Sequence, residues 1–153
     1  MNGNFIYISQ RIDIYSDIGE RRDALDGRWH KLLGCAGFRV LPVPNDENQV
    51  KLWLKDCPPS GIILSGGNTP SCYGGSAPER CKTDTILLDF AVKNKVIVLG
   101  VCRGMQSIAL YFGGSLKKVD GHIQARHQLR GDIKSCVNSY HEYAVDVLPM
   151  SFL

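Results

Sequence analysis

The chain has no apolar run near the roughly 20 residues that span a bilayer. Its opening, Met1-Asn2-Gly3-Asn4, lacks the basic start and long apolar stretch of a secretory signal. Neither a membrane span nor export is expected, and the expected location is the cytoplasm. Blocks of like charge are also missing: 18 basic and 15 acidic residues are interspersed, for a net charge of +3. Nucleic acid and membrane surfaces are therefore not expected partners, and any cationic site must be local. The six cysteines, at 35, 57, 72, 81, 102 and 136, include no Cys-x-x-Cys pair. Zinc-ligand spacing and the common redox motif are thereby excluded. These cysteines are expected to hold no metal, and most of them read as small buried hydrophobes. Internal repeats, heptads and low-complexity tracts are absent as well.

What is present is enough for one core. The 153 residues are 44% apolar and 22% charged, which suits a single domain over 1–153. Phe5 to Ser9 is an apolar, β-branched run. Gly19-Glu20-Arg21-Arg22 leads into Leu25, Trp29, Leu32, Leu33 and Ala36 at helical spacing, and Gly37 stands where a helix stop is expected. Asp23 and Asp26 are placed to assist the start of that helix. Phe38 to Val43 reads as a strand, Gln49 to Lys55 as a short helix and Gly61 to Leu64 as another strand. A Gly, Ser and Pro-rich loop then runs from Ser65 to about Pro78, of the length on which function tends to sit.

From Thr83 to Asn94 the pattern is helical, and Val96-Ile97-Val98-Leu99 is an unbroken apolar strand of the kind covered on both faces, hence parallel and central. Arg103 to Phe112 is the next helix, stopped by Gly113-Gly114, and Ser135 to Asn138 and Tyr143 to Leu148 are β-like. This order predicts an α/β fold: a doubly wound sheet of mostly parallel strands with helices on both faces and ligands at the carboxyl ends of the strands.

The chemistry concentrates at Cys102. Gly100-Val101-Cys102-Arg103-Gly104 puts a cysteine between a strand and a helix with glycines two residues to either side, the spacing of a nucleophile elbow. The tight turn needs close backbone approach on both sides, where a Cβ would collide. A thiol at the first turn of a helix meets free amides and the positive end of the dipole, which favour the thiolate. An amide of the Gly66-Gly67 turn, with that of Arg103, could form an oxyanion hole, so two features point to acyl transfer at a carbonyl.

Leu64-Ser65-Gly66-Gly67-Asn68, the helix from Glu79 to Asn94, Leu99 through Gln106 and Val137-Asn138-Ser139-Tyr140-His141 resemble the class I glutamine amidotransferase-like superfamily. Within it, Cys102-Arg103-Gly104-Met105-Gln106 fits the gamma-glutamyl hydrolase-like branch. The resemblance runs along nearly the whole chain in the same order. It implies a flavodoxin-like fold, incomplete at the C-terminus, with Cys102 as nucleophile and the amides of Gly67 and Arg103 as oxyanion donors. It also implies that Gly66, Gln106, Ser139, Tyr140 and His141 hold the substrate, a small gamma-glutamyl amide, with no cofactor. The segment Gly19 to Trp29 is similar to members that hydrolyse gamma-glutamyl-CDP-amidate in capsule phosphoramidate synthesis. For such a diphosphate the candidate cations are Arg11, Arg21, Arg22 and Arg103, the first three reading as solvated surface.

Members of the superfamily take their general base from a His-Pro-Glu turn, which does not occur before Leu153. The base and its carboxylate are therefore expected beyond that residue, and the shortened chain is expected to expose apolar surface. His141-Glu142 is no ready substitute, because adjacent residues on an extended chain face opposite ways. His122 and His127 read as solvent-exposed loop residues and His30 as helix surface; His141 ranks first among them because its loop should approach Cys102. Three functions are in view: a hydrolase of gamma-glutamyl amides, a glutaminase subunit passing ammonia to a synthetase partner, and a binding domain with impaired catalysis. A homo-oligomer fits any of them.

Overall fold

The structure, a computed structural model, describes residues 5–149. Its first half runs β1 (Phe5–Ser9), β2 (Arg11–Tyr15), β3 (Glu20–Ala24), α1 (Arg28–Cys35), β4 (Arg39–Val43), α2 (Glu47–Asp56) and β5 (Gly61–Leu64). A 3-10 turn (Ser71–Tyr73) then precedes α3 (Pro78–Asn94), β6 (Ile97–Gly100) and α4 (Arg103–Tyr111). Four further strands follow: β7 (Ser115–Lys118), β8 (Ile123–Gln128), β9 (Cys136–Tyr140) and β10 (Tyr143–Val147).

The centre is a four-stranded parallel sheet in the order β4-β1-β5-β6. Alternation along β1 and β5 splits the core in two. Tyr7, Ile62 and Leu64 pack with Val50 and Leu54 of α2, Leu87 and Leu88 of α3, and Ile108 of α4. Ile6, Ile8 and Ile63 point the other way, onto Trp29 and Leu33 of α1. Each such side chain contributes about 1.5–3 kcal/mol through burial. Strands β1 and β5 are therefore covered on both faces, as a doubly wound fold requires. Among the described residues no helix is long and apolar enough to cross a membrane.

Several expectations need correction. The strand read at Val96–Leu99 is parallel, but it lies at the sheet's edge, where Ile97 and Leu99 are 80% and 54% exposed. An apolar run reports that both faces are greasy; whether a helix covers each depends on where the neighbours lie, and only the Val98 face meets the core. Glu20–Ala24 does not lead into a helix: it pairs antiparallel with β2, its ladder bonds outweighing the helix propensity of Glu and Arg. Asp23 accordingly caps nothing and instead accepts from the backbone N–H and side-chain amide of Asn45 at 3.0 and 2.7 Å. Asp26 does serve the start of α1, accepting from the Arg28 backbone N–H at 2.9 Å. Helix α3 begins at Pro78, five residues before the Thr83 of the helical pattern and one before the Glu79 of the resemblance, with proline at the first position where its missing N–H costs nothing. Strands β7 and β8 were not anticipated; β7 pairs with β10 and β8 with β9, both antiparallel. Nor are the thiols buried: Cys81 is half-buried and the other five are exposed, because they sit at helix ends, in turns and at a strand start.

Candidate active site

Strand β6 ends at Gly100 and α4 starts at Arg103, so the chain reverses within two residues. Val101 donates its N–H to Leu64 O at 2.9 Å, and Gly104 donates to Val101 O at 2.9 Å, which ties the bend to the end of β5. Cys102, at the apex, has φ 52° and ψ −107°. A side-chain-bearing residue there carries strain on the order of 1–3 kcal/mol. The steric argument for the glycines holds in detail. A Cβ on Gly104 would stand 1.8 Å from Leu64 O, and one on Gly100 would stand 2.6 Å from both the Met105 nitrogen and Ile108 Cδ1. The sulfur they present is exposed.

The Gly66-Gly67 turn lies beside it: a Cβ on Gly66 would come within 3.4 Å of Cys102 Cβ. Gly67 has φ +90°, and a Cβ there would meet Arg11 Cβ and Cδ at 3.2 and 3.0 Å. Two anchors fix this turn. Ser65 donates its N–H to Ser9 Oγ at 3.0 Å and its hydroxyl to Ser9 O at 2.6 Å, joining it to the end of β1. Asn68 accepts from the Ile12 N–H at 2.8 Å and donates to Ile12 O at 2.9 Å, joining it to β2.

The residue that organises the turn is one that sequence reasoning missed. Arg80, in the first turn of α3, is fully buried. Its guanidinium donates to Ser65 O at 2.7 Å, to Gly66 O at 3.0 Å, to Gly67 O and to Asn68 Oδ1 at 3.2 Å. Burial, and secondarily the charge of Arg103, push its pKa down to about 10, so it stays cationic at neutral pH. No local pattern marks an arginine in an amphipathic helix as interior; the signal would have been the loop's row of carbonyls, which need a donor.

Arg103 divides into two parts. Its backbone amide follows Cys102, while its side chain is buried in an ion pair with Asp84 and also bonds Ser107 Oγ at 3.0 Å and Cys81 Sγ at 3.1 Å. The guanidinium is thus spent inside the protein and is not free for a diphosphate, which corrects that candidacy. Arg21 pairs with Glu79, and Arg22 with Glu20 at 2.5 Å. Arg11 pairs with Asp13 at 2.8 Å and is the one of these four laid over Gly67.

A cleft of about 270 Å³ opens over Cys102. Gly67, Asn68, Thr69, Arg103 and Gln106 form one wall, and Ile123, Tyr140, His141, Glu142 and Tyr143 the other. Gln106 is buried and donates to Tyr143 O at 2.7 Å, linking the two walls. Tyr140 and His141 line the cleft as expected residues; Ser139 does not, its buried hydroxyl being given to His122 O at 2.7 Å. His141 Nδ1 stands 3.0 Å from Tyr143 O, and since a carbonyl only accepts, Nδ1 is the donor in this bond. Its Nε2 is 3.4 Å from His122 Nδ1, and the His122 ring stacks on that of His127 at 4.1 Å. His122 and His127 are therefore half-buried members of one cluster and not isolated loop residues. Desolvation, followed by the charges of His127 and His141, lowers the His122 pKa below the ordinary histidine value. His30 lies exposed on α1. Among the described residues no group of three His, Cys, Asp or Glu is placed to hold a metal ion.

Comparison with known proteins places the chain in a family. The family model for class-I glutamine amidotransferases matches residues 26–152. The chain is 30% identical over 151 residues to a gamma-glutamyl-CDP-amidate hydrolase of Campylobacter jejuni, covering 94% of this chain and 73% of that one. It is 34% identical over 102 residues to GMP synthase (glutamine-hydrolyzing) of Yersinia pestis, covering 61% of this chain and 18% of the synthase. The crystal structure of a glutamine amidotransferase from Thermotoga maritima superposes with a TM-score of 0.64 at 14% identity, over 97% of this chain and 64% of that one. The chain thus spans less than two thirds of that neighbour. With the matched region spanning most of its length, the chain belongs to the class-I glutamine amidotransferase family of enzymes.

Proposed function

We propose that the chain hydrolyses small gamma-glutamyl amides through a thioester on Cys102. The observation that carries this reading is an exposed thiol on a strained elbow, packed beside a glycine turn whose carbonyls are all held from behind by Arg80. With its carbonyl oxygens tied back, such a turn can offer its amides forward, and with the Arg103 amide it forms a two-donor site for an oxyanion. The sulfur attacks the gamma-carbonyl carbon, the C–N bond breaks, the amine leaves with a proton, and water then cleaves the thioester to glutamate. Gln106, Tyr140 and His141, which line the cleft, position the gamma-glutamyl group, with Gly66 contributing through its close approach to Cys102 and Ser139 through its hold on the His122 carbonyl. His141 is the imidazole that shares the cleft, its ring fixed by Tyr143 O on one side and His122 on the other.

The relative from Campylobacter supports gamma-glutamyl-CDP-amidate as the amide, and with it a place in capsule synthesis. The similarity to GMP synthase supports a second reading, a glutaminase subunit that hands ammonia to a synthetase partner. One experiment addresses both. Incubation with glutamine, a gamma-glutamyl anilide and gamma-glutamyl-CDP-amidate should give product and, on rapid quenching, a gamma-glutamyl mass on the peptide bearing Cys102. Cys102→Ser should lose both by at least about 10³-fold. Product that appears only when a synthetase is added favours the subunit. A folded chain giving neither adduct nor product would leave only the impaired binding domain.

A further inference from the structure

The reaction at Cys102 leaves a second cleft unused. It encloses about 220 Å³ between α3, α4 and the Ser71–Tyr73 turn, and Cys72, Cys81, Asp84, Arg103 and Ser107 are among its walls. Cys81 stands in the first turn of α3, its N–H reaching Ala77 O at 3.4 Å. Three polar groups meet at its sulfur: Arg103 Nη2 at 3.1 Å, the Ser71 N–H at 3.4 Å and the Ser71 hydroxyl at 3.3 Å. The buried ion pair of Arg103 with Asp84 fixes the guanidinium that reaches this sulfur. Asp84 and Arg103, which line the cleft, are each 2% exposed, and among the described residues Asp84 Oδ1 and Arg103 Nε have no hydrogen-bond partner. Cys72 follows Ser71 directly, is exposed, and faces the same space.

We propose that Cys81 and Cys72 form a thiol pair oxidised by hydroperoxides, Cys81 attacking the peroxide and Cys72 resolving the product. Hydrogen-bond donors at a sulfur favour its thiolate, the form that attacks a peroxide, and here the Ser71 N–H, the Ser71 hydroxyl and Arg103 Nη2 all stand at the Cys81 sulfur. The Cys81 sulfur, having given up its proton, bonds the terminal peroxide oxygen. The O–O bond breaks, and the alkoxide or hydroxide takes up the proton, leaving a sulfenic acid. The Cys72 sulfur then attacks the Cys81 sulfur, the S–O bond breaks, and hydroxide departs with the Cys72 proton as water. In sum, two thiols and one hydroperoxide give one disulfide, one alcohol and one water. The bridge fastens the turn to α3 and takes an acceptor from Arg103, the residue next to Cys102.

The test needs no turnover at Cys102 and stands apart from that function. The full chain carrying Cys102→Ser, so that the exposed elbow thiol consumes no oxidant, is treated with equimolar hydrogen peroxide, alkylated and mapped by mass spectrometry. A single bridge between Cys72 and Cys81, reversed by dithiothreitol, is expected. Adding Cys72→Ser should stop at the sulfenic acid, with dimedone labelling Cys81 at least tenfold faster than Cys35, Cys57 or Cys136. Even labelling of the exposed cysteines, a bridge between another pair, or no bridge in the Cys102→Ser chain would each overturn the proposal.

Discussion

The two walls of the Cys102 cleft are built on opposite principles. The elbow wall is interior architecture: Gly104 lies against Leu64 O, Arg80 is sealed beneath the glycine turn, and Arg103 and Asp84 pair inside. The facing wall is presented by the β8–β9 hairpin and the start of β10. Of the two hairpin strands only Ser139 is buried, and β9 ends in a half-buried histidine cluster. A wall fixed by the core sets where a reacting atom stands to within tenths of an ångström. A wall held mainly by its own ladder bonds sets how readily something is admitted or kept. Damage to the first should remove chemistry and stability together, and damage to the second should change binding while the fold persists.

Gly104→Ala is the severest break of this contrast. Its methyl would overlap Leu64 O at 1.8 Å, a backbone atom with no rotamer to escape into. Strand β5 or helix α4 must then shift, and we expect a loss of about 3 kcal/mol or more in denaturant unfolding, with Cys102-dependent turnover lost even in the fraction that folds. Arg80→Met follows. It keeps much of the side chain's bulk but leaves the buried carbonyl of Ser65 and the half-buried carbonyl of Gly66 without their guanidinium donor, and frees that of the exposed Gly67. Unsatisfied buried acceptors cost about 1–3 kcal/mol each before relaxation. The readout that separates positioning from mere stability is kinetic: kcat should fall by about 10²-fold or more with KM little changed, while iodoacetamide still alkylates Cys102 at the wild-type rate.

The same contrast explains what could be read from the sequence. The elbow was legible because its constraints are local: a cysteine flanked by Gly100 and Gly104 between an apolar run and a helical pattern admits few backbones. The parallel sheet followed from the alternation of strands and helices. Arg80 was not legible, since its partners are carbonyls 13 to 15 residues away that attract an arginine only once the loop has folded onto α3. Glu20–Ala24 misled because its residues favour helix in isolation, whereas its partner strand decides the outcome. The edge position of β6 and the gathering of His122, His127 and His141 are properties of neighbours, and no periodicity encodes neighbours.

The mildest test acts on the hairpin wall alone. The His122 pKa lies below its unfolded value because desolvation, and then the charges of His127 and His141, disfavour the protonated ring. A basic group with a depressed folded pKa takes up its proton more readily in the opened state. Its neutral-form stability is intact above the unfolded value near 6.5 and is lost progressively as pH falls through that value toward the folded one. Acidification from pH 7.5 to 5.5 should therefore loosen β8–β9, seen as faster amide exchange across the hairpin, while amides of β1 and β5 keep their protection. KM should rise over the same interval more than kcat falls, because the hairpin supplies Tyr140 and lies beside His141 whereas the elbow carries the sulfur. Replacing His122 with Gln removes the charge repulsion and should flatten the hairpin's pH response. Acid-induced exchange that is equal in the hairpin and the central sheet would mean that the two walls open together, and the division of labour between them would have to be abandoned.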